Sequence, residues 1–339
     1  MVPALAVADA LRADGAEVHF VGGERAEREL VPAAGYPLHV IAVEGLSRTS
    51  KVAAARAGLK AARAFVRCLR LLRSLRPDAV MGGGGYVAGP VGAAAVLLRI
   101  PLVLTEADSH LGLTNRLLAR FARKVCLAFP IEGLEGTRYL VTGRPVPPPC
   151  DDREAARRSL GVEADETCVL VFGGSLGARS INEASLQAFR QAPFHVIHAA
   201  GARDYPKLAA ELGARSSSGY DLREYISPFG PALAASDLVV ARAGGSIFEV
   251  TAHGRPAILI PYPHATADHQ TTNARWMADA GAAVVLADAD VTPERLAREV
   301  ATLLSDRGRL AAMARASASL ARPEAAREIA GEVMRSAGA

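Results

Sequence analysis

One unit recurs along the whole chain: a short apolar run, a turn that is often rich in glycine, and a longer segment with apolar residues at helical spacing. Runs at Glu17–Val21, Asp78–Met81, Pro101–Leu104, Lys124–Ala128 and Tyr139–Thr142 read as strands. Helical segments at Val2–Ala13, Glu24–Val31, Val52–Leu75, Val87–Leu98 and Leu111–Phe121 lie between them. A second series has strands at Thr167–Phe172, Phe194–Ala199, Leu238–Ala241, Ala257–Pro261 and Ala283–Leu286, with helices near Ser180–Gln191, Tyr205–Leu212, Ile247–His253 and His269–Ala280. Strands that alternate with helices pair in parallel, because each crossover returns the chain to the same end of the sheet. The expected fold class is α/β, with two doubly wound, Rossmann-like domains.

The boundary falls at the four prolines between Arg144 and Cys150, which continue neither a helix nor a central strand. Residues 1–145 form the expected first domain and 146–320 the second. The helices from Thr292 onward end without another strand, and 321–339 reads as a C-terminal helix packing back on the first domain. A chain of 339 residues, half of them apolar, fills two cores, and 22% charge excludes a disordered chain. Cys68, Cys126, Cys150 and Cys168 have no metal-ligand or C-x-x-C spacing, which argues against a zinc site or disulfide scaffold and fits a reducing cytoplasm. The most apolar stretch, Val91–Leu104, is broken by Arg99 and Pro101 and is too short to span a bilayer. No basic segment precedes the apolar start, so no secretory signal is expected.

Charge is unevenly spread. Nine Lys or Arg residues and no acid lie between Arg48 and Arg76. At helical pitch Arg56, Lys60, Arg63, Arg67 and Arg70 form one stripe, and Leu59, Ala62, Phe65, Val66, Leu69 and Leu72 another. An ordinary surface helix would explain the apolar stripe. Surface helices normally mix charges, however, and the missing acids favour attraction to an anionic membrane surface. Nucleic acid is not expected, for want of interleaved aromatics or a recognisable module.

Three segments put glycines straight after a strand and before a helix: Gly82–Pro90, Gly173–Arg179 and Arg242–Glu249. Glycine lets backbone N–H groups approach a ligand, and a helix start adds partial positive charge, so diphosphate is the natural guest. None is a Walker loop, since no Gly-Lys-Ser/Thr follows. Ser175 and Ser246 add hydroxyl donors, and Glu249, one turn into its helix, is placed to accept both hydroxyls of a ribose. The segment His264–Asn273 offers Asp, Gln and Asn to sugar hydroxyls, or else is a helix start capped by Asp268.

Five ordered motifs carry a resemblance that runs over essentially the whole chain: Gly83–Pro90, Glu106–Asn115, Gly173–Arg179, Arg242–Ser246 with Glu249, and Asp268–Ala274. Together they resemble the MurG family, the peptidoglycan N-acetylglucosaminyltransferases among the GT-B glycosyltransferases, whose two Rossmann-like domains face a central cleft. The resemblance implies inverting transfer of GlcNAc from UDP-GlcNAc to the MurNAc 4-hydroxyl of lipid I (undecaprenyl-diphosphate-MurNAc-pentapeptide), forming lipid II. It implies no metal or other cofactor, and a peripheral place on the cytoplasmic face of the cell membrane. Other GT-B lipid glycosyltransferases and UDP-GlcNAc 2-epimerases are the alternatives.

Carried over motif by motif, the donor site comprises Ile226 near the uracil, Glu249 on the ribose, Ser175 with Gly244, Gly245 and Ser246 at the diphosphate, and Gln270 and Asn273 at the GlcNAc, with Gly177, Arg179 and Arg242 as further donor-binding residues. The acceptor is expected at Gly84, Gly85, Tyr86, Glu106 and Asn115. The family's first strand and glycine loop, which ends in a histidine proposed as general base, would stand immediately before Val2. The sequence is read as lacking them through a misread gene start, and such a chain is expected to bind UDP and turn over poorly. Asp108 and His110 are the remaining candidates for the base. Asp108 stands where many relatives have Asn, and Pro147 about where many have Arg.

Overall fold

A computed structural model describes residues 1–24, 27–41, 51–174, 178–213, 219–265 and 268–338, with backbone alone over 51–61. The chain divides into two units, Met1–Val146 with Arg322–Ala339, and Pro147–Ala321.

The first unit contains, in order, α1 (Val2–Ala13), β1 (Phe20–Gly22), α2 (Glu27–Ala33), β2 (Leu38–Val40), α3 (Lys51–Leu75), β3 (Val80–Gly82), α4 (Gly85–Leu97), β4 (Leu102–Glu106), α5 (Leu113–Leu118), β5 (Lys124–Leu127) and β6 (Tyr139–Val141). Its strands are parallel and fall in two sheets, β1-β2 and β3-β4-β5-β6. Strand side chains alternate between two cores, as a period of two requires. Leu102, Leu104, Val125 and Leu127 join Ala64, Cys68 and Leu72 of α3 and Ala94 and Ala95 of α4 on one face. Val103 and Cys126 turn to the other face, against Val7 and Leu11 of α1 and Ile329, Ala330 and Val333 of the last helix.

The second unit contains α6 (Arg153–Ser159), β7 (Cys168–Phe172), α7 (Arg179–Phe189), β8 (His195–Ala199), α8 (Tyr205–Gly213), β9 (Tyr220–Arg223), α9 (Gly230–Ala235), β10 (Leu238–Ala241), α10 (Ile247–Ala252), β11 (Ala257–Leu259), α11 (His269–Asp279), β12 (Ala283–Val285), α12 (Pro293–Ser305) and α13 (Arg307–Ser319). The last helix, α14 (Ala325–Ala337), belongs to the first unit. The six strands of the second unit form one parallel sheet in the order β9-β8-β7-β10-β11-β12. The chain winds outward from β7 to one edge, returns, and winds outward from β10 to the other. The carboxyl ends of β7 and β10 therefore flank a topological switch point, where open α/β sheets take their ligands.

Two edge strands, β2 and β9, and two short helices, α6 and α9, are absent from the pattern read off the sequence. Edge strands bury one side only, and Tyr220-Asp-Leu-Arg223 shows half-buried polar residues where a central strand is apolar throughout. α6 has no apolar periodicity and starts on a cap, the Asp152 side chain accepting the Ala155 N–H at 2.8 Å.

The apolar stripe expected on α3 needs correction. Ala64, Phe65, Cys68, Leu69 and Leu72 supply the inward face, while Ala62 and Val66 are exposed alongside Arg63, Arg67 and Arg70. The side chains of Arg56, Leu59 and Lys60 lie outside the described residues. All four cysteines are free thiols. Burial pushes the thiol of Cys68 up to about 11 and those of Cys126 and Cys168 up to about 12. A thiol reagent is expected to titrate only Cys150 in the native protein at neutral pH and all four after denaturation, because reactivity follows exposed thiolate. Rapid reaction of a second thiol in the native state would contradict this burial.

Candidate active site

The strand register brings two of the glycine turns together. Ala241 pairs with Phe172, so the turns after β7 and β10 leave the sheet side by side at the switch point. Gly174 has φ +90°, a conformation side chains with a Cβ rarely adopt. Ser175 and Gly177 lie outside the described residues. Arg179 is the first residue of α7, its side chain exposed. Gly244, Gly245 and Ser246 form the half-buried turn before α10, and Glu249 is half-buried on that helix. Ile226 follows β9 and is buried. The segment behind it returns to the switch point, since Phe229 meets Phe172 edge-on with centroids 4.9 Å apart.

Arg242 does not point outward as a free donor contact. It is 8% exposed, with Nη1 2.6 Å from the Asp288 carboxylate and donating to the carbonyls of Ile260 and Pro261 at 3.2 Å. Its Nη2 donates to Ser180 Oγ at 3.0 Å, and that hydroxyl donates to Asp288 at 2.6 Å. The guanidinium is a brace tying β10, β11 and the first turn of α7 to the turn after β12. Sequence reading missed Ser180 and Asp288, whose pairing spans 108 residues.

On α11, Gln270 Oε1 accepts the Tyr262 N–H at 3.0 Å. Asn273 is 2% exposed and donates from Nδ2 to the Ala243 carbonyl at 3.0 Å, while its Oδ1 is buried with no hydrogen-bond partner. A buried orphan acceptor costs about 1–3 kcal/mol, and a ligand hydroxyl or amide would satisfy it. Asp268 stands at the N-cap position of α11, but its backbone is left-handed at φ +52° and its carboxylate accepts the Thr271 hydroxyl at 2.6 Å instead of a backbone N–H.

In the first unit, Gly84 and Gly85 have φ +76° and +78°, which lets α4 start directly after β3. Tyr86 is 63% exposed. Glu106 ends β4 and is buried; its Oε1 accepts the Asp108 N–H at 3.2 Å, and its Oε2 accepts the Gly112 N–H at 2.8 Å and Asn115 Nδ2 at 2.9 Å. One carboxylate thus fastens both ends of the loop carrying Asp108 and His110, which are half-exposed. Asn115 also donates to the Thr105 carbonyl at 2.9 Å, and its buried Oδ1 has no partner. A Cβ on Gly84 would lie 3.6 Å from the Asn115 amide, so this pair closes the turn after β3. Among the described residues no cluster of His, Cys, Asp or Glu is placed to hold a metal ion.

His198, on β8 beside the edge strand β9 of the second unit, accepts the Tyr220 hydroxyl at Nδ1 (2.8 Å) and faces Asn182 Oδ1 through Nε2 (3.0 Å). Burial pushes its pKa down to about 3. The unfolded state therefore binds a proton that the folded state refuses, and this costs about 1.4 kcal/mol of stability per pH unit as pH falls from the ordinary histidine value toward 3. His198→Gln is expected to flatten the acid limb of the stability curve between pH 6.5 and 5, measured by urea melts against wild type. An unchanged slope would show that His198 does not carry it.

Residues 1–127 match the N-terminal domain of glycosyltransferase family 28, and residues 168–329 its C-terminal domain. The chain is 44% identical to the UDP-N-acetylglucosamine–N-acetylmuramyl-(pentapeptide) pyrophosphoryl-undecaprenol N-acetylglucosamine transferase of Rubrobacter xylanophilus, over 98% of both chains. The crystal structure of Acinetobacter baumannii MurG superimposes with a TM-score of 0.80 at 31% identity, covering 98% of this chain and 95% of that one. The chain belongs to the MurG family of glycosyltransferases. A Neisseria meningitidis UDP-GlcNAc 2-epimerase bound to UDP-GlcNAc also superimposes, with a TM-score of 0.69 over 98% of this chain and 96% of that one; at 13% identity the likeness is one of fold. Both units of this family member are Rossmann-like, with parallel sheets.

Proposed function

We propose that this glycosyltransferase moves GlcNAc from UDP-GlcNAc to the MurNAc 4-hydroxyl of lipid I, making lipid II with inversion at the anomeric carbon. The full-length identity to a transferase named for that reaction carries the reading. The second unit takes the donor at its switch point. Backbone N–H groups of the turns after β7 and β10 receive the diphosphate, Glu249 the ribose, Ile226 the uracil, and Gln270 with the orphaned Asn273 Oδ1 the sugar. The first unit takes the acceptor at Gly84–Tyr86, Glu106 and Asn115.

The 4-hydroxyl oxygen attacks C1 of GlcNAc as the C1–O bond to UDP breaks. Negative charge then grows on the diphosphate, where preorganised N–H donors stabilise it without a metal. The hydroxyl proton passes to a base, and Asp108 and His110 are this chain's candidates, held by the Glu106 clasp. The experiment is transfer of labelled GlcNAc to a lipid I analogue. A lipid II analogue is expected. Conversion of UDP-GlcNAc to UDP-ManNAc without acceptor would favour the epimerase reading instead.

The first unit also suits an anionic membrane on the cytoplasmic side. Helices α3, α4 and α5 pack in succession. They and the turn that follows expose Val66, Leu97, Leu113, Leu117 and Phe121 among Arg63, Arg67, Arg70, Arg116 and Arg120. Apolar side chains ringed by arginine insert at a headgroup boundary. No described helix is long and apolar enough to cross a membrane. Leu117→Asp is expected to lower partition onto vesicles containing anionic lipid at least about tenfold, and binding should fall with added salt. Equal binding to neutral vesicles at high salt would refute this surface.

A further inference from the structure

We propose that Asp204 is a positioning residue of the donor site, holding Arg179 and Arg203 side by side at the mouth of the turn after β7 so that both guanidiniums meet the donor's diphosphate. The inference rests on the donor reading above and adds two residues, Arg203 and Asp204, that neither the motifs nor the glycine turns single out.

Asp204 lies just past the carboxyl end of β8, next to β7 in the sheet. Its side chain is 9% exposed, yet both arginines it holds are open to solvent, with side chains 55% exposed at Arg203 and 67% at Arg179. Arg203 grips it with two bonds, Nε to Oδ1 at 3.0 Å and Nη2 to Oδ2 at 3.2 Å, and Arg179 Nε stands 3.9 Å from Oδ1. Two cations thus share one anion, at the start of a helix with no acid in its first turn. The surplus is positive and faces outward, where a polyanion is favoured.

What fixes the carboxylate is a buried polar chain. Asn182 is fully buried; its Nδ2 donates to Asp204 Oδ2 at 3.0 Å and to the Ala200 carbonyl at 2.9 Å. With both amide hydrogens used, Asn182 Oδ1 can only accept, so the neutral His198 carries its proton on Nε2 and donates it. Nδ1 is then an acceptor, and Tyr220 donates into it. Every member has one available role, and the sequence Tyr220, His198, Asn182, Asp204 has a fixed direction. A buried polar chain is no more stabilising than well-packed apolar side chains. Its distinctive product is orientation, delivered here to a carboxylate at the edge of the site. Hydrogen bonding from Arg203, ahead of the opposing cost of burial, holds that carboxyl below its usual range, so it is ionised at neutral pH.

Charge and position make opposite predictions, which permits a test. By net charge alone, Asp204→Asn removes a negative group near the phosphates and strengthens UDP binding. By positioning, it releases both arginines and weakens UDP about tenfold, the scale of a lost charge-assisted hydrogen bond. Calorimetry on the full chain with UDP and with uridine separates the cases, because uridine has no phosphate to lose. The expected results are UDP weakened about tenfold, uridine unchanged, and kcat/KM for UDP-GlcNAc lowered at least about tenfold, since the diphosphate gains charge as the bond to C1 breaks. Arg203→Gln should have a similar effect alone and little further effect beside Asp204→Asn. UDP binding that is unchanged or tighter in Asp204→Asn overturns the proposal, as does a parallel loss of uridine. Should Asp204→Asn fail to fold, Arg203→Gln on the surface decides by the same pair of ligands. Wild-type protein that binds no UDP overturns the donor reading itself.

Discussion

Replacing Glu106 with alanine is expected to cut sugar transfer at least about a hundredfold in kcat/KM while UDP binding stays at the wild-type value. The carboxylate accepts three hydrogen bonds, from Asp108 N–H, Gly112 N–H and the Asn115 amide, and the residue is only 8% exposed. Truncation strands three donors, each costing about 1–3 kcal/mol if left dry. The loop between Ala107 and Gly112 then loses the tie at each end, and with it the placement of Asp108 and His110. Asn115 loses one of the two acceptors that hold its amide nitrogen beside Gly84. All of this lies in the first unit, whereas the site proposed for uridine diphosphate lies in the second. Kinetics with a lipid I analogue and calorimetry with UDP on the same samples check the separation. A parallel loss of UDP affinity would remove Glu106 from the acceptor side. Glu106→Gln should fall between, since it keeps one acceptor oxygen and turns an NH2 toward a donor.

How much of this was legible beforehand depended on whether the physics was local. Central strands such as Leu238–Ala241 are apolar on both faces and flanked by turns, so they announce themselves in a single sequence. The edge strands Leu38–Val40 and Tyr220–Arg223 are half exposed, and nothing within three or four residues distinguishes them from loop. The same divide runs through the site. Glycines and serines after a strand are a local signal for an anion-binding turn, and the structure sets two of those turns side by side. The partners of buried polar groups are not local. His198 in an apolar strand reads as one more core residue, and its bonds reach back 16 residues to Asn182 and on 22 residues to Tyr220. The facing of α3 departs from its apolar stripe for a related reason. Ala62 and Val66 are apolar, but the sheet and α4 select the face carrying Ala64, Cys68 and Leu72, leaving the other two among arginines.

Arg242 is where local and distant readings diverge most, and its replacement by alanine should be the most damaging change in the second unit. Its position straight after β10 in a glycine-rich turn suggests a phosphate contact; its bonds go inward to Asp288, Ser180 and two strand-end carbonyls, and its guanidinium lies over Tyr262 at 5.4 Å. Removing the buried guanidinium strands the two strand-end carbonyls and leaves the half-buried Asp288 carboxylate without its cation, at a cost of about 1–3 kcal/mol for each buried group left unpaired. Arg242→Ala is thus expected to lower the midpoint of urea unfolding and to abolish UDP binding together, because the strand ends and the start of α7 are held by the same guanidinium. Arg242→Lys should rescue little, since an ammonium cannot span four acceptors set for a planar fork. Arg242→Ala with Asp288→Ala should recover part of the stability, the stranded carboxylate being gone, without recovering UDP binding. A direct phosphate contact predicts the reverse pattern for the single variant: weak UDP binding on a protein as stable as wild type. Paired urea melts and UDP calorimetry on the three variants therefore assign Arg242 either to the brace or to the ligand.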